Sequence, residues 1–506
     1  MNIFLNKKEE LIIALAVFAI FFIESFVINP FYPFDMDDWH YFSFFKNTVL
    51  PLPDDWNPTK VTPEYFQPLV SYIGVKIFTY IFAEINNSPD YLEGIACAYS
   101  VFYALIFAIY FCCLYKFIRA LLERRSVAIS SFLIVFLLHL VAFKATEFGS
   151  VYIYKVETPT LLFHYPTSVL FNAILILCLE KNYIATNQIL PKNYLSVGLI
   201  VAFSHLCIFS SSMYSTLTAV YLSTLLLFNL KKIKKIKISE LWMFIKEWWF
   251  ALIFLAIWLV SAYLEMHGQR AASVETKNAT YLFEGMSLPI AAIKEFCTSL
   301  SYIFIAVMVF LLSFCAFLIS KKAIDNKLLK TILRYFLFLI IVVIFYLLLG
   351  FKAGLHYTLV GLQTGGMLPI ILIISCVLAN IALNFKKSLM IFTTVFVASS
   401  LICLLLSPRF AKNTGYVEAE TAYNFDNYVI DSCISATDKN LKSLEIEVPS
   451  IWSQNDWPIM YTSGGKRISL ALYAFRIIPY QLDITVIPSD NTDLYRKLNI
   501  LHLKDK

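Results

Sequence analysis

The sequence KKEELIIALAVFAIFFIESFVINPFYPFDMDDWHYF, residues 7–42, joins two lysines, an apolar run and an acidic, aromatic segment. The apolar run, residues 11–29, is roughly 19 residues long, which at 1.5 Å per residue is enough to cross the ~30 Å hydrocarbon core of a bilayer. A signal-peptide cleavage site with small residues does not follow it, and VINPFYPFDMDDW is typical of a structured loop. We therefore expect residues 11–29 to form an uncleaved first transmembrane helix.

The composition of the whole chain is that of a polytopic helical membrane protein. Hydrophobic residues make up 59% of the sequence and charged residues 15%, whereas ordinary soluble domains are nearer half apolar and a quarter charged. The net charge of +6 does not indicate nucleic-acid binding, because the basic residues lie in short clusters between apolar runs. One such cluster, KKIKKIK at 231–237, is explained by anchoring on anionic lipid. The ten cysteines have no metal-binding spacing, and most lie inside apolar runs as small hydrophobic residues.

The distribution of apolar runs and basic clusters predicts eleven spans. Basic clusters lie in every second loop, which by the positive-inside rule places the N-terminus in the cytoplasm and the C-terminus outside. Five parts of the chain then lie outside, and we expect the active site among them. These parts are 30–93, 146–165, 266–300, 351–366 and the residues after 407. The predicted spans centre on residues 11–29, 95–117, 127–145, 166–180, 195–212, 214–230, 248–265, 301–319, 332–350, 367–385 and 389–407.

The sequence divides into a transmembrane domain, 1–407, with a long first outer loop at 30–93, and a more polar C-terminal domain, 408–506. In the second domain, alternating stretches such as KRISLALYAF and YQLDITVIP predict strands, and we expect a small extracytoplasmic α/β domain. The segment SIWSQNDWPIMYTSGG places Trp452 and Trp457 among polar residues, a composition typical of sugar binding. The alternative is that these two rings belong to the domain core.

Three carboxylates, Asp35, Asp37 and Asp38, follow the first span almost directly. A carboxylate close to hydrocarbon is desolvated, which raises its pKa and makes it a better base while it is ionised. The alternative is that these acids are only polar residues at the membrane-surface end of a helix. A single acid would favour that alternative more strongly than a cluster of three does. If the segment is helical, Asp35 and Asp38 share a face and Asp37 points about 100° away from Asp38; if it is extended, Asp35 and Asp37 share a face. One acid of the pair is then a base, and the other binds substrate or supports the structure.

The pattern acid-acid-x-x-Tyr just outside the first span, here Asp37-Asp38-Trp39-His40-Tyr41, resembles the first-loop motif of the GT-C glycosyltransferases. PEYFQPLVSYIG, residues 63–74, resembles their second first-loop element, which leads into an amphipathic helix along the membrane. Gln67 stands where that element often has a basic residue, and Lys60 in WNPTKVTPE is a candidate to replace it. With the eleven-span layout, these motifs look most like the phage-borne, serotype-converting O-antigen glucosyltransferases.

This resemblance implies an inverting transferase that moves glucose from undecaprenyl-phosphate-glucose onto O-antigen (lipopolysaccharide) on the periplasmic side of the bacterial inner membrane. Asp37 is our first candidate for the base, followed by Asp38 and Asp35, while the lipid phosphate leaves without needing a general acid. The resemblance also implies a small flippase and a polyprenyl-phosphate glucosyltransferase as functional partners. Three nearby Asp side chains could hold a divalent cation. A donor phosphate bound by Arg and Lys does not require one, so we assign no metal ligand. No other cofactor is expected.

The lipid phosphate needs cations near the membrane surface. We expect Arg270 to lead, because guanidinium binds phosphate oxygens in a fork; an ordinary loop charge is the alternative. Lys60, Lys352 and His356 are the further candidates for phosphate binding. The candidates for binding the acceptor sugar are Glu64, Trp39, Tyr41, Trp56, Trp452 and Trp457, with His164 a weaker one.

The sequence leaves two other functions open. The first is another GT-C lipid-linked sugar transferase or an O-antigen polymerase, although polymerases favour basic residues in large outer loops over an acid pair in the first. The second is a transporter or flippase of lipid-linked sugars. A transporter predicts ionisable residues at mid-membrane and broken helices related by a repeat, whereas the apolar runs here are nearly free of charge.

Overall fold

The structure of the chain is a computed structural model. It describes residues 2–33, 36–43, 49–53, 55–86, 89–122, 124–144, 158–230, 238–273, 287–321, 325–406, 418–452 and 464–501. Among the predicted site residues, Asp35 and Trp457 lie outside these ranges, as does the basic cluster 231–237. Lys352 and His356 lie on described helices, but their side chains are outside the description.

Most of the described chain is helical, and the long helices pack side by side as a bundle. The helix beginning at Asn2 continues as a π-helix over Ile23–Ile28, and the helix beginning at Val61 does so over Gly74–Phe78. The α-helices of residues 1–407 are Asn2–Phe22, Met36–Ser43, Val61–Ile73, Thr79–Asn86, Tyr91–Leu121, Arg125–Val141, Pro159–His164, Pro166–Thr186, Tyr194–Ile208, Ser212–Leu230, Ile238–His267, Gln269–Ser273, Ser287–Ser299, Tyr302–Ser320, Asn326–Ala353, Leu355–Thr364, Met367–Asn384 and Lys386–Leu406.

Ten helical segments of the described residues are long and apolar enough to cross a membrane, so the chain is a multi-pass membrane protein. Nine of them coincide with predicted spans, and the predicted spans 127–145 and 195–212 fall on the shorter apolar helices Arg125–Val141 and Tyr194–Ile208. The tenth segment, Val61–Glu84, was predicted to be part of the first outer loop. Nine of the eleven predicted spans thus coincide with helices long enough to cross a membrane, because hydropathy is a local property of the sequence.

The loops predicted to alternate between two sides of a membrane lie at opposite ends of this bundle. At one end, the Gln269 N–H donates to the Asp55 carbonyl oxygen at 3.2 Å, and the Thr62 N–H donates to the Phe209 carbonyl oxygen at 2.8 Å. We call this the long-loop end. At the other, the basic end, Lys116 pairs with Glu10 at 2.9 Å. The alternation of loops that the charge pattern predicts is therefore the alternation that the structure has.

The helix that runs from Val61 through the π-helical turn Gly74–Phe78 to Glu84 stays at the long-loop end. It begins beside Phe209, in the turn between two helices at that end. Gly74 packs against Ile95, which is only four residues into the long helix Tyr91–Leu121, and so lies within about 6 Å of that helix's start. Because both parts of the helix lie at the same end of the bundle, it runs across that end rather than through the bundle.

Close packing at this crossing depends on glycine. A Cβ on Gly74 would lie 2.7 Å from the Ile95 Cα and 2.9 Å from the Gly94 carbonyl oxygen, and a Cβ on Gly94 would lie 2.7 Å from the Thr79 nitrogen. These neighbours are backbone atoms, which cannot move aside as the end of a side chain can. Small residues at helix crossings allow this close approach in membrane proteins.

We expect Gly74→Ala to lower the free energy of unfolding by about 1–3 kcal/mol, because the added methyl group must push two backbones apart. Gly198→Ala is the matched control: a Cβ there would meet no atom within 4 Å, and alanine in a helix is expected to stabilise it by about 0.5–1 kcal/mol. Thermal unfolding of both purified variants in detergent measures the difference. Equal midpoints would show that the crossing is not as tight as the structure has it.

The described part of the predicted C-terminal domain, 418–452 and 464–501, contains helices and a two-stranded sheet. Strands β1 (Ser443–Pro449) and β2 (Asp483–Ser489) are parallel, with Ser443 opposite Asp483 and Pro449 opposite Ser489. A helix, Gly464–Ala474, lies between them in the chain and packs on β2. The remaining described helices are the α-helices Ala419–Asp438 and Thr492–Lys497 and the short 3-10 helix Ser450–Trp452.

One of the two strand predictions for this domain is wrong. YQLDITVIP does form β2, but most of KRISLALYAF belongs to the helix Gly464–Ala474. Its buried residues recur at three- and four-residue spacing, as Gly464, Ile468, Ala471 and Leu472 do. The alternating letters of SLALYAF suggested a strand, but a segment that connects two parallel strands must cross over the sheet, which favours a helix.

This domain rests on the first outer loop. The rings of Phe42 and Phe475 lie 6.5 Å apart, and Lys76 Nζ donates to the Phe475 carbonyl oxygen at 2.6 Å. On the other side, the Tyr423 hydroxyl donates to Asp90 Oδ2 at 2.6 Å. The C-terminal domain is therefore held against the segment that carries the predicted catalytic acids.

Candidate active site

The acid pair lies on a short helix, Met36–Ser43, which decides between the two conformations considered from sequence. Acids in the first turn of a helix are stabilised there by the helix dipole, and Asp37 and Asp38 both lie in it. Successive residues of a helix point about 100° apart, so the two carboxylates face different surroundings. The side chain of Asp37 is 64% exposed, whereas Asp38 is fully buried.

Asp38 is a structural ligand. Its Oδ1 accepts the backbone N–H of Thr160 at 2.8 Å, in the first turn of the helix Pro159–His164. Gln67 Nε2 donates to the Thr160 hydroxyl at 2.9 Å. Asp38 and Gln67 together fix the start of this helix against the first loop. Gln67, which stands where the GT-C pattern often has a basic residue, thus has a positioning contact here.

Asp37 remains accessible and faces cations. Arg467 of the C-terminal domain lies 3.7 Å from its Oδ1, with both side chains partly in solvent. Asp37 also acts electrostatically on Tyr41 and Lys60. An exposed carboxylate surrounded by basic and phenolic groups can accept a proton from a bound hydroxyl group.

Arg270 is positioned by the first loop, more than two hundred residues away in sequence. Its backbone N–H donates to the Trp56 carbonyl oxygen at 3.2 Å, and Gly268 packs so closely on Pro58 that a Cβ would lie 2.6 Å from the proline ring. The guanidinium donates to Asn57 Oδ1 at 3.2 Å and to the Tyr357 hydroxyl at 2.7 Å. Asn57 also hydrogen-bonds Tyr41, and the charge of Arg270 acts on Tyr41, so the guanidinium lies near this phenol.

Lys60 is the second predicted cation of this site. Its pKa is lowered to about 8, mainly by burial and then by the charge of Arg270, while the carboxylates of Glu265, Glu64 and Asp37 act in the opposite direction. Glu265 is held in turn by the Thr59 hydroxyl at 2.6 Å. Lys60 and Arg270 are therefore close enough to repel each other and lie in the same acidic surroundings.

Tyr41 completes what we call the outer cluster: Asp37, Tyr41, Lys60, Glu64, Arg270 and Tyr357. Burial, Glu64 and Asp37 raise the pKa of Tyr41, against a smaller opposing effect of Arg270. Glu64 is buried on the helix Val61–Ile73. Of the predicted site residues, five thus converge at the long-loop end, from segments of the chain that are distant in sequence.

The other predicted site residues lie around this cluster or outside it. Trp56 is half exposed beside Arg270, and the buried ring of His164 lies 5.0 Å from that of Tyr41. Trp39 is buried and packs edge to face on Phe42. Trp452 is in the core of the C-terminal domain, edge to face with Phe425 at 5.5 Å, so its ring is packed against protein.

Two residues that contact or influence the predicted site residues were not predicted from the sequence. Tyr357, which orients Arg270, lies in the segment FKAGLHY, where only the lysine and histidine were considered. Asp426 is buried on the helix Ala419–Asp438, where burial and the nearby charge of Asp38 raise its pKa well above the usual value. An acid on the apolar face of an amphipathic helix is a signal that helical periodicity could have shown.

Within the described ranges, no three or more His, Cys, Asp and Glu side chains are grouped as metal ligands are. Comparisons with protein-family models, with curated proteins and with solved structures give no match for this chain. The features that indicate a function are therefore the geometry of the outer cluster and the motif of the first loop.

Proposed function

We propose that this protein is an inverting glycosyltransferase that takes its sugar from a polyprenyl phosphate, with the outer cluster as its active site. The observation that carries the proposal is the convergence of an exposed carboxylate, Asp37, with two cations, Arg270 and Lys60, at the end of a membrane-embedded bundle. A lipid-linked donor presents its phosphate at such a surface. The GT-C-like motif Asp37-Asp38-x-x-Tyr41 supports the same chemistry.

The reaction requires few groups. Asp37 takes the proton of the acceptor hydroxyl as that oxygen bonds to the anomeric carbon of the sugar. The bond from that carbon to the phosphate oxygen breaks, the electron pair leaves with the lipid phosphate, and the anomeric configuration is inverted. Arg270 and Lys60 bind the phosphate and stabilise its growing charge. No general acid is needed, because the departing phosphate is a stable anion near neutral pH.

The proposed substrates follow from the resemblance: undecaprenyl-phosphate-glucose as donor and an O-antigen repeat unit as acceptor. The long-loop end then faces the periplasm and the basic end the cytoplasm, in agreement with the positive-inside rule. Trp56 is half exposed and its backbone carbonyl accepts the Arg270 N–H, which makes its ring a candidate surface for stacking a sugar. Serotype conversion of the host lipopolysaccharide is the expected biological result.

The direct test is transfer in membranes. Membranes containing the protein, supplied with undecaprenyl-phosphate-[14C]glucose and unmodified O-antigen, should move label into lipopolysaccharide. Parallel reactions with galactose or arabinose on the same lipid identify the sugar. Transfer of label from a donor with a different sugar would support the proposed enzyme class and identify that sugar, in place of glucose, as the one transferred. Failure with each lipid-linked donor, while the protein is folded in the membrane, would contradict the proposed function.

The pKa of Lys60 gives a pH dependence for donor binding. Because burial and Arg270 lower that pKa to about 8, Lys60 is a cation below this pH and neutral above it. We therefore expect the KM for the donor to rise as the pH increases through about 8, whereas in Lys60→Gln the KM should be higher throughout and lack that rise. Initial rates from pH 6.5 to 9.5 measure this. A rise of the same size in Lys60→Gln would assign the pH dependence to another group.

A further inference from the structure

A cleft at the basic end of the bundle is far from the outer cluster and unconnected with the proposed reaction. Its volume is about 630 Å³, and it opens among the ends of several long helices. Tyr91–Leu121 and Met367–Asn384 end beside it, and Asn326–Ala353 begins there. The cleft is therefore at the level where the spans of a membrane protein meet the headgroups of the bilayer.

The charged residues of the cleft favour an anion. Arg124, Lys327 and Lys386 line it, and Asp325 is the acid among the described lining residues. The carboxylate of Asp325 is engaged by its own helix, because its Oδ1 accepts the backbone N–H groups of Lys327 and Leu328 at 2.8 and 2.9 Å. Lys327 Nζ also lies 3.4 Å from the Ile184 carbonyl oxygen, which keeps it at the cleft wall.

Helix ends of both kinds meet at the cleft, so helix dipoles do not decide its charge. The helices Arg125–Val141, Asn326–Ala353 and Lys386–Leu406 begin at lining residues, whereas Tyr91–Leu121 and Met367–Asn384 end at them. A helix N-terminus carries roughly half a positive charge and a C-terminus roughly half a negative one. The preference for an anion therefore depends on the three basic side chains.

The walls between these charges are partly polar, with Thr331 and Asn384, and partly apolar. Leu121, Leu122, Val127 and Leu328 line the cleft, and Leu383 lines it with 62% of its surface exposed. A small hydrophilic anion gains nothing from such apolar residues, whereas the glycerol and first methylene groups of a lipid bury apolar surface against them. The cleft thus combines a site for a phosphate group with a site for the start of acyl chains.

We propose that this cleft binds the phosphate headgroup of an anionic glycerophospholipid from the leaflet at the basic end. The shared chemistry is a phosphate ester held by Arg124, Lys327 and Lys386. The apolar walls identify its source as a lipid rather than free phosphate, and basic clefts between spans are suited to such headgroups. Bound lipid ties together three helices that begin there, so it should stabilise the bundle.

The test uses thermal unfolding of the full chain in detergent, titrated with phosphatidylglycerol. The midpoint should rise with lipid in the wild type. In the variant R124Q/K327Q/K386Q, the half-saturating lipid concentration should rise about 100-fold, since each basic residue contributes about fivefold. The variant K330Q/K387Q is the matched control: both lysines lie on the same helices but do not line the cleft, and its titration should match the wild type.

Three results would overturn the proposal. They are equal titrations of the triple variant and the wild type, the same rise with phosphatidylcholine, or the same rise with inorganic phosphate, which would make the ligand a free anion. If the triple variant does not fold, Lys327→Gln and Lys386→Gln are each expected to lose about fivefold, read as lipid retained in native mass spectra. Full retention of lipid by both single variants would also contradict the proposal.

Discussion

Asp37→Asn is expected to reduce sugar transfer by about 10²–10⁴-fold, the contribution typical of a positioned base. The amide fills the same space and cannot accept the proton of the acceptor hydroxyl. Because Asp37 is largely exposed and its ion pair with Arg467 is long, folding and insertion should not change. Label transfer into lipopolysaccharide, normalised to the amount of folded protein, measures the effect.

Two controls separate a catalytic role from a structural one. Asp431→Asn changes an exposed carboxylate of the C-terminal domain and should leave transfer unchanged. Asp38→Asn should lower the unfolding midpoint, because a buried acceptor of the Thr160 N–H is weakened. If Asp37→Asn transfers sugar at a nearly normal rate, Asp37 is not the base.

Arg270→Ala is expected to raise the KM for the lipid-linked donor by roughly 10- to 100-fold, the effect of losing hydrogen bonds to a charged group. The KM for the acceptor should change much less, because the guanidinium is proposed to bind phosphate only. Arg270→Lys keeps the charge and loses the forked geometry, so it should recover part of the donor affinity. Steady-state kinetics with each substrate varied in turn distinguish these outcomes.

Arg270 also bonds Asn57 and Tyr357, so a structural contribution must be measured separately. Tyr357→Phe removes one of those bonds and leaves the cation, and it should raise the donor KM by less than Arg270→Ala does. Arg496→Ala, at an exposed position of the C-terminal domain, is the control for loss of a positive charge. Equal increases of donor and acceptor KM in Arg270→Ala would mean that the residue supports the loop instead of binding phosphate.

The fold was largely predictable, and its exceptions have local causes. Nine of the eleven predicted spans coincide with long apolar helices, because an apolar segment of sufficient length can be recognised without knowing its packing partners. The segment KRISLALYAF was assigned to the wrong element, since its alternating letters also fit one face of a helix. The buried ion pair between Glu180 and Arg334, inside two helices of the bundle, was not predicted, because each charge lies close to a basic loop and looks like part of it.

The site was predictable in part. The acid pair was found because it directly follows the first span, and Arg270 because a guanidinium in an outer segment suits a phosphate. Asp426 and Tyr357 were not found, since the role of each depends on a neighbour from a distant segment: Asp38 for the first and Arg270 for the second.

The sequence by itself determined that the chain is a multi-pass membrane protein, that its loops alternate between two ends, and that an acidic motif follows the first span. These properties depend on the hydropathy and charge of each segment, which act without contacts to the rest of the chain. Only the tertiary structure decided that Asp37 is exposed while Asp38 is buried, and that Lys60 and Arg270 share one cluster. Those outcomes depend on packing between helices, and the energy of a buried charge is set by neighbours that sequence order does not reveal.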